Sequence, residues 1–194
     1  MEEPEHLRLF VAVPVPDAIK ETIAELQRKL QRLLPEAPIR WTDSRQIHLT
    51  VRFFGNVKSE HVNEIREALA TACDGTNAFG LKACGLGVFP DKRRPRVIWA
   101  GIEDGEGALA ILQEKIRIAT ASFGERPDER PFSAHLTLGR IKDIRPREAA
   151  ALRQFIETED GPCGEWQVRE IELLRSELSS AGARHSVIGN FLLA

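Results

Sequence analysis

The apolar run Leu7 to Val13, reading L-R-L-F-V-A-V, has the length of a strand, and the Pro14-Val15-Pro16-Asp17 break ends it. A helix follows. Ile19, Ile23, Leu26, Leu30 and Leu33 recur at spacings of four and three, which gathers them on one stripe with Lys, Glu and Arg opposite. A strand around Ile47 to Phe54 comes next. Ser59 reads as the cap of a second helix that turns Val62, Ile65, Leu69 and Ala72 inward. Phe79 to Val88 reads as a strand, and a basic turn from Pro90 to Pro95 leads into another, Val97 to Ile102. A third helix carries Leu109, Leu112, Ile116, Ala119 and Phe123 on one stripe. The pattern then predicts a strand from Ala134 to Ile141, a short helix opened by Pro146, and strands near Val168 to Leu174 and Ser186 to Leu193. The G-L-G-V at Gly85 lacks the third glycine and the following helix of a dinucleotide fingerprint, so it marks a strand end or a bulge.

The chain echoes itself. R-L-F-V-A-V from Arg8 resembles R-V-I-W-A-G from Arg96, 88 residues on, and H-L-T-V from His48 resembles H-L-T-L from His135, 87 residues on. Both halves run strand, amphipathic helix, loop, then a strand bearing His-Leu-Thr, as two copies of one unit would. Two such lobes paired about a pseudo-two-fold axis would bring both histidines to one central cleft.

Five histidines and eight threonines in 194 residues give roughly 0.2 chance copies of His-x-Thr, so two matched copies need a cause. On a strand, residues i and i+2 share a face, so His48 projects with Thr50 and His135 with Thr137, while Leu49 and Leu136 point into a core. Four polar side chains there need partners, which a shared ligand supplies. In-line displacement at phosphorus needs a base and an acid, and two imidazoles with ordinary pKa near 6.5 serve as both. The threonine hydroxyls suit non-bridging phosphate oxygens. The alternatives are a pair of satisfied polar strands with no site and, with less support, a metal centre, since Cys and carboxylate ligands at binding spacing are missing nearby.

Composition narrows the picture. Hydrophobic residues at 42% and charged residues at 29% are those of a globular chain, and 194 residues suit a single domain, 1–194. A net charge of −2 disfavours clamping a long nucleic acid through many phosphates but leaves room for a nucleotide or an RNA end. Tyrosine is absent, which excludes a tyrosine nucleophile or acid. Cys73, Cys84 and Cys163 form no C-x-x-C pair and read as reduced thiols. No apolar run reaches the roughly 20 residues of a spanning helix and no leader pattern opens the chain, so a cytoplasmic location is expected.

These motifs resemble the 2H phosphoesterases, most closely the bacterial and archaeal RNA 2′,3′-cyclic phosphodiesterases, also called 2′-5′ RNA ligases. The resemblance covers nearly the whole length. It runs through R-L-F-V-A-V at Arg8, H-L-T-V-R-F-F-G at His48, G-L-G-V-F-P at Gly85 and R-P-R-V-I-W-A-G at Arg94. It continues through R-P-F-S-A-H-L-T-L-G-R at Arg130, L-L-R-S-E-L at Leu173 and G-A-R-H-S-V at Gly182. It implies a LigT-like α+β fold of two pseudo-symmetric lobes, each an antiparallel sheet with helices packed outside, around a central cleft. The implied reaction is hydrolysis of an RNA 2′,3′-cyclic phosphate to a 2′-phosphomonoester; two imidazoles can carry it without metal or cofactor, and a monomer is expected. His48 would protonate the leaving 3′-oxygen, His135 would activate water, and Thr50 and Thr137 would bind the phosphate. Acid and base roles exchange when the reaction runs backward.

Arg140 matches a family position that contacts phosphate, and Phe53 one that stacks on a base, with core packing as the alternative for Phe53. Strand parity puts both on the face opposite the histidines, so a bulge or strand end is needed to bring them round. Arg52 shares the histidine face by parity and is either a source of positive charge or a solvated arginine. Leu174 and His185 stand where the family often has Tyr. His185 reads as a surface histidine of the final strand, with entry into the cleft as the alternative. The basic turn Lys92, Arg93, Arg94 and Arg96 touches RNA or forms a solvated hairpin, and His6 and His61 carry no assigned role. The expected partners are RNA ends or small nucleotides with a cyclic phosphate, and no membrane. Other readings are a phosphodiesterase of small cyclic nucleotides or 2′-5′ linkages, with ligation as its reverse, and a non-catalytic RNA-end binding module.

Overall fold

The computed structural model describes residues 5–125, 131–161, 164–179 and 182–194, so Cys163 and Arg130 lie outside the described residues. The chain order is β1 (His6–Pro14), α1 (Asp17–Leu33), β2 (Ile39–Trp41), β3 (His48–Lys58), α2 (Val62–Cys73), β4 (Phe79–Phe89), β5 (Val97–Glu103) and α3 (Ala108–Ala119). It continues with β6 (His135–Ile141), α4 (Pro146–Thr158), β7 (Gly164–Val168), β8 (Glu170–Ser179) and β9 (Gly182–Leu192). The hydrophobic pattern locates these elements with a few differences. Three-residue β2 is too short to leave a periodic signal. The strand expected from Val168 is β8, which starts at Glu170, and β7 before it is a strand that the pattern does not predict. Ser59 opens a 3₁₀ turn that ends at His61, and α2 starts only at Val62. In α1 the apolar stripe ends one residue off: Leu33 is 36% exposed and Leu34 is buried instead. Pro35 disfavours helical backbone at the residue before it, so the chain turns at Leu34 and drives that side chain inward.

All pairings are antiparallel, in the order β7-β4-β5-β6-β3-β1-β8-β9, with β2 added to β6. The two expected sheets, β9-β8-β1-β3 and β6-β5-β4-β7, join through one residue pair, Leu49 with Leu136. β1 flanks β3 as β5 flanks β6, so a pseudo-two-fold axis runs between β3 and β6. Ala12 lies opposite Thr50 and Trp99 opposite Thr137, an offset of 87 that matches the histidines. The sequence echo of β1 in β5, at 88, is therefore one residue out from the structural equivalence. Only Arg169 separates β7 in one half from β8 in the other, and one residue spans about 3.5 Å at most, so the sheet has to curl. Leu193 N–H donates to the Arg169 carbonyl at 2.8 Å and fixes the closure.

Leu7, Leu9, Val11 and Val13 of β1 pack with Ile23 and Leu30 of α1, Leu69 of α2 and Leu112 of α3 in one large core. Helices pair across the two halves, α1 with α4 and α2 with α3. The other sheet face holds a small cluster of Phe10, Ala12 and Leu174 under the cleft. The G-L-G-V segment is a bulge, as one of its two expected readings has it: the β4–β5 register shifts between Cys84 and Leu86, and Gly85 has φ +67. A Cβ on Gly87 would lie 2.1 Å from the Trp99 ring, which occupies that space.

Two further bulges aim the cleft residues. Val51 is the extra residue of β3 against β1, and Leu138 that of β6 against β5, at equivalent points of the duplicated unit. Beyond each bulge the parity of inward and outward side chains reverses. The carbonyl of Leu138 accepts from Thr42 N–H and from Gln27 Nε2, both at 2.9 Å, and Gln27 Nε2 also donates to the Thr42 carbonyl at 2.8 Å. Gln27 is buried and reaches from α1 to hold this bulge. Q27L should therefore destabilise the fold by about 1–3 kcal/mol in urea unfolding, because the Thr42 and Leu138 carbonyls both lose the amide donor that Gln27 brings to them. Unchanged stability would mean the glutamine does not secure the bulge.

Candidate active site

His48 and Thr50 stand at the start of β3, His135 and Thr137 at the start of β6, and all four line one cavity of about 670 Å³. Leu49 and Leu136, both fully buried, face the core between them. Extending the register of that pair sets His48 across from Thr137 and Thr50 across from His135. The two histidines are then diagonal neighbours, about 7–8 Å apart in an undistorted antiparallel pair, a gap that fits a phosphorus with an imidazole on each side.

Each histidine is held by the same backbone device. His48 Nδ1 lies 2.8 Å from the Gln46 carbonyl, and His135 Nδ1 lies 2.7 Å from the Ser133 carbonyl. A carbonyl only accepts, so both Nδ1 atoms carry hydrogen and the neutral rings keep a free lone pair on Nε2. The walls around the rings differ. His48 packs against Phe10, with ring centroids 4.7 Å apart, and against His185, at 5.2 Å and edge-on. His135 packs against Phe89 at 5.1 Å and Trp99 at 6.4 Å. Burial pushes the His48 imidazole down to about 4, the neighbouring His185 adds to the effect, and the hydrogen bond to Gln46 opposes it.

The reversed parity beyond the bulges puts Phe53 and Arg140 on the cavity lining, at equivalent places in the two halves. Phe53 is 38% exposed, so of its two expected readings it is the open ring and not the core residue. Arg8 lies over it, with Cζ 4.6 Å from the ring centroid. The same bulge overturns the expectation for Arg52, which is buried on the core side. Its guanidinium donates to the carbonyls of Phe123 and Glu125 and sits 5.3 Å from the Phe54 ring. His185 is corrected too. It lines the cavity instead of the outer surface, with its Nδ1 buried and unpartnered and its pKa lowered by burial.

The lining also holds Arg8, Phe10, Arg40, Trp41 and Ser176, which the sequence patterns do not single out. Arg8 and Phe10 are within reach of those patterns, since they alternate with the core residues Leu7, Leu9 and Val11 and so share the other face of β1. The basic turn is absent from the lining: Lys92 pairs with Glu157, and the Arg93 and Arg94 amides donate to Asp91. His61 pairs with Glu64 away from the cleft. Among the described residues no three His, Cys, Asp or Glu side chains group to hold a metal ion, and no helix is long and apolar enough to cross a membrane.

This architecture, with a His-Leu-Thr strand in each half, is that of the LigT like phosphoesterases, whose family model matches residues 13–99 and 102–185, and the chain belongs to that family. Each matched segment holds one His-Leu-Thr triplet. The chain is 32% identical over 177 residues to the RNA 2′,3′-cyclic phosphodiesterase of Methanothermobacter thermautotrophicus, covering 91% of this chain and 93% of that one. It is 32% identical over 176 residues to the protein of the same name from Archaeoglobus fulgidus, covering 91% and 94%. The crystal structure of TT0787 of Thermus thermophilus matches with TM-score 0.79 and 29% identity over 96% of this chain and 98% of that chain. Apo LigT of E. coli matches with TM-score 0.77 and 25% identity over 98% and 99%.

The depressed His48 pKa links stability to pH. Above the unfolded value of about 6.5 the ring is neutral in both states, and between 6.5 and about 4 only the unfolded chain gains the proton. Stability is therefore fully present above pH 6.5 and falls by about 3 kcal/mol as pH drops towards 4, at 1.36 kcal/mol per unit. Urea unfolding at pH 7 and pH 4 should show this loss, and H48Q should remove most of it. An equal loss in both proteins would assign it to other groups.

Proposed function

We propose that this chain opens the 2′,3′-cyclic phosphate of an RNA end to a 2′-phosphomonoester, through His48 as acid and His135 as base, within one two-lobed domain. The observation that carries this reading is the matched pair of Nδ1-clamped histidines, each two residues before a threonine and all on one cavity. The names of the archaeal relatives support the substrate. The buried thiol of Cys73 accords with a reducing cytoplasm.

In the forward step His135 Nε2 takes a proton from water as the water oxygen bonds to phosphorus. The bond from phosphorus to the 3′-oxygen breaks on the opposite side, and His48 Nε2 gives its proton to that oxygen. The products are a 2′-phosphate and a 3′-hydroxyl, and exchange of one proton with solvent resets the rings. Thr50 and Thr137 hydroxyls donate to the non-bridging oxygens, where charge gathers in the transition state. Arg140 adds a charge-assisted bond to phosphate, and Phe53 offers its ring to the base. His48 is neutral in the empty cleft at pH 7, and the anionic phosphate supplies the negative charge that offsets its burial. The proton is thus loaded together with the substrate. The two imidazoles complete this cycle without a metal.

H48A and H135A should each lower turnover by about 100-fold or more with little loss of stability. The assay is an EDTA-treated protein with an RNA oligonucleotide ending in a 2′,3′-cyclic phosphate, its product identified by ³¹P NMR. A 2′-phosphate is expected. A 3′-phosphate would reverse which oxygen leaves, and tight binding with no turnover would replace the enzyme by an RNA-end binding module.

A further inference from the structure

We propose that Arg40, opposite Arg140, forms a second phosphate site in the cleft, one that takes the phosphodiester on the 5′ side of the reacting nucleotide. The enzyme then selects cyclic-ended RNA strands over cyclic mononucleotides. This rests on the reading of the cleft as a cyclic-phosphate site and names the substrate class it favours.

The two arginines are direct cross-strand partners in the β2–β6 pair, and both line the cavity. Cross-strand partners project on one face with Cβ atoms about 5 Å apart, and like charges there repel. Among the described residues neither guanidinium has a hydrogen bond or an ion pair to relieve the repulsion. The one carboxylate on the lining, Asp43, is taken: Arg45 holds Oδ1 through Nε at 3.1 Å and Oδ2 through a terminal nitrogen at 2.7 Å. The cavity thus gathers Arg8, Arg40 and Arg140 against one neutralised aspartate in a chain whose net charge is −2. Arg8 is accounted for by its place over Phe53. The Arg40–Arg140 pair has no such partner, and an anion between two forked donors removes the repulsion and engages both.

Position separates this anion from the reacting phosphate. The quartet surrounds the point where β3 meets β6, whereas β2 pairs with β6 further along, at Gly139 to Ile141. From Thr137 to Arg140 is a rise of about 10 Å along the strand, less what the bulge takes up. The next phosphate of an RNA strand lies one sugar away from the cyclic one, and long arginine side chains reach over that span. A cyclic mononucleotide has no second phosphate to place there.

The test compares kcat/KM for 2′,3′-cyclic AMP with that for an adenylyl dinucleotide ending in a 2′,3′-cyclic phosphate, in the parent chain and in R40A and R40Q. The parent should prefer the dinucleotide. Both variants should lose at least about tenfold more on the dinucleotide than on cyclic AMP, mostly through KM, as expected for one charge-assisted bond. Added salt should weaken the parent's dinucleotide reaction more steeply than that of the variants. Equal losses on both substrates, or none on either, would overturn the second site, and R40Q keeps the test open should R40A fold poorly. Turnover of neither substrate by the parent would instead overturn the catalytic reading. The site is then judged by calorimetric binding of the dinucleotide, where an unchanged affinity in R40Q would overturn it.

Discussion

Leu49 and Leu136 meet across the one point at which β3 and β6 pair, and the cleft depends on that contact. Both side chains are fully buried, each worth about 1.5–3 kcal/mol of transfer from water, so the pair fixes register as well as joining the halves. With the leucines held inward, the residues on either side of each must face out, and these are His48, Thr50, His135 and Thr137. A slip of one residue in either strand would bury a histidine and a threonine and expose a leucine, a change that costs on both faces at once. The apolar middle residue of His-Leu-Thr is thus as much a part of the site as the polar ends.

Beyond the seam the duplicated strands keep one geometry and use it for different ends. Both are bulged one residue after the threonine, but the residue that then turns inward is Arg52 in one half and Gly139 in the other. Arg52 donates through one terminal nitrogen to the carbonyls of Phe123 and Glu125, whereas Ile39 and Trp41 fill the space that a Cβ on Gly139 would need. The residue turned outward differs as well, an aromatic ring in one half and a guanidinium in the other. A symmetric pair of strands could bind a cyclic phosphate in two opposite senses. Under the proposed function, Phe53 on one side and Arg140 on the other would remove that degeneracy, since a nucleotide has its base and its phosphates in different places.

The helices and the facing of His and Thr are legible in the sequence because both follow from short-range periodicity, apolar stripes for the helices and i to i+2 spacing for His and Thr, while the two-lobed α+β class comes from the family resemblance. The bulges are legible only as a requirement. Moving Phe53 and Arg140 round demands a break in parity, yet nothing in V-R-F-F-G or L-G-R-I marks which residue is extra. The same blindness places Arg52 in the cleft. β2 escapes because three residues carry no period, and Arg40 and Trp41 with it. His185 reads as a surface residue because its position depends on β9 pairing with β8 and β8 with β1, contacts made far apart in the chain. Phe10, at the centre of that arrangement, belongs to the cleft only because β1 shows its even positions to one face.

The duplication explains why the two histidines are alike, and divergence explains why they need not act alike. Each ring is oriented by a carbonyl two residues upstream, a contact that copying a strand copies with it. The walls differ because Phe10 of β1 and Trp99 of β5 stand at non-equivalent places on the duplicated strands, and only His48 has a second imidazole edge-on beside it, that of His185 on β9. Those neighbours make a charged His48 costly in the empty cleft. A phosphate anion beside His48 offsets that cost. In the proposed mechanism the protonated acid exists chiefly when there is a substrate to receive its proton, so the surroundings of His48 would tie its charge to occupancy of the cleft.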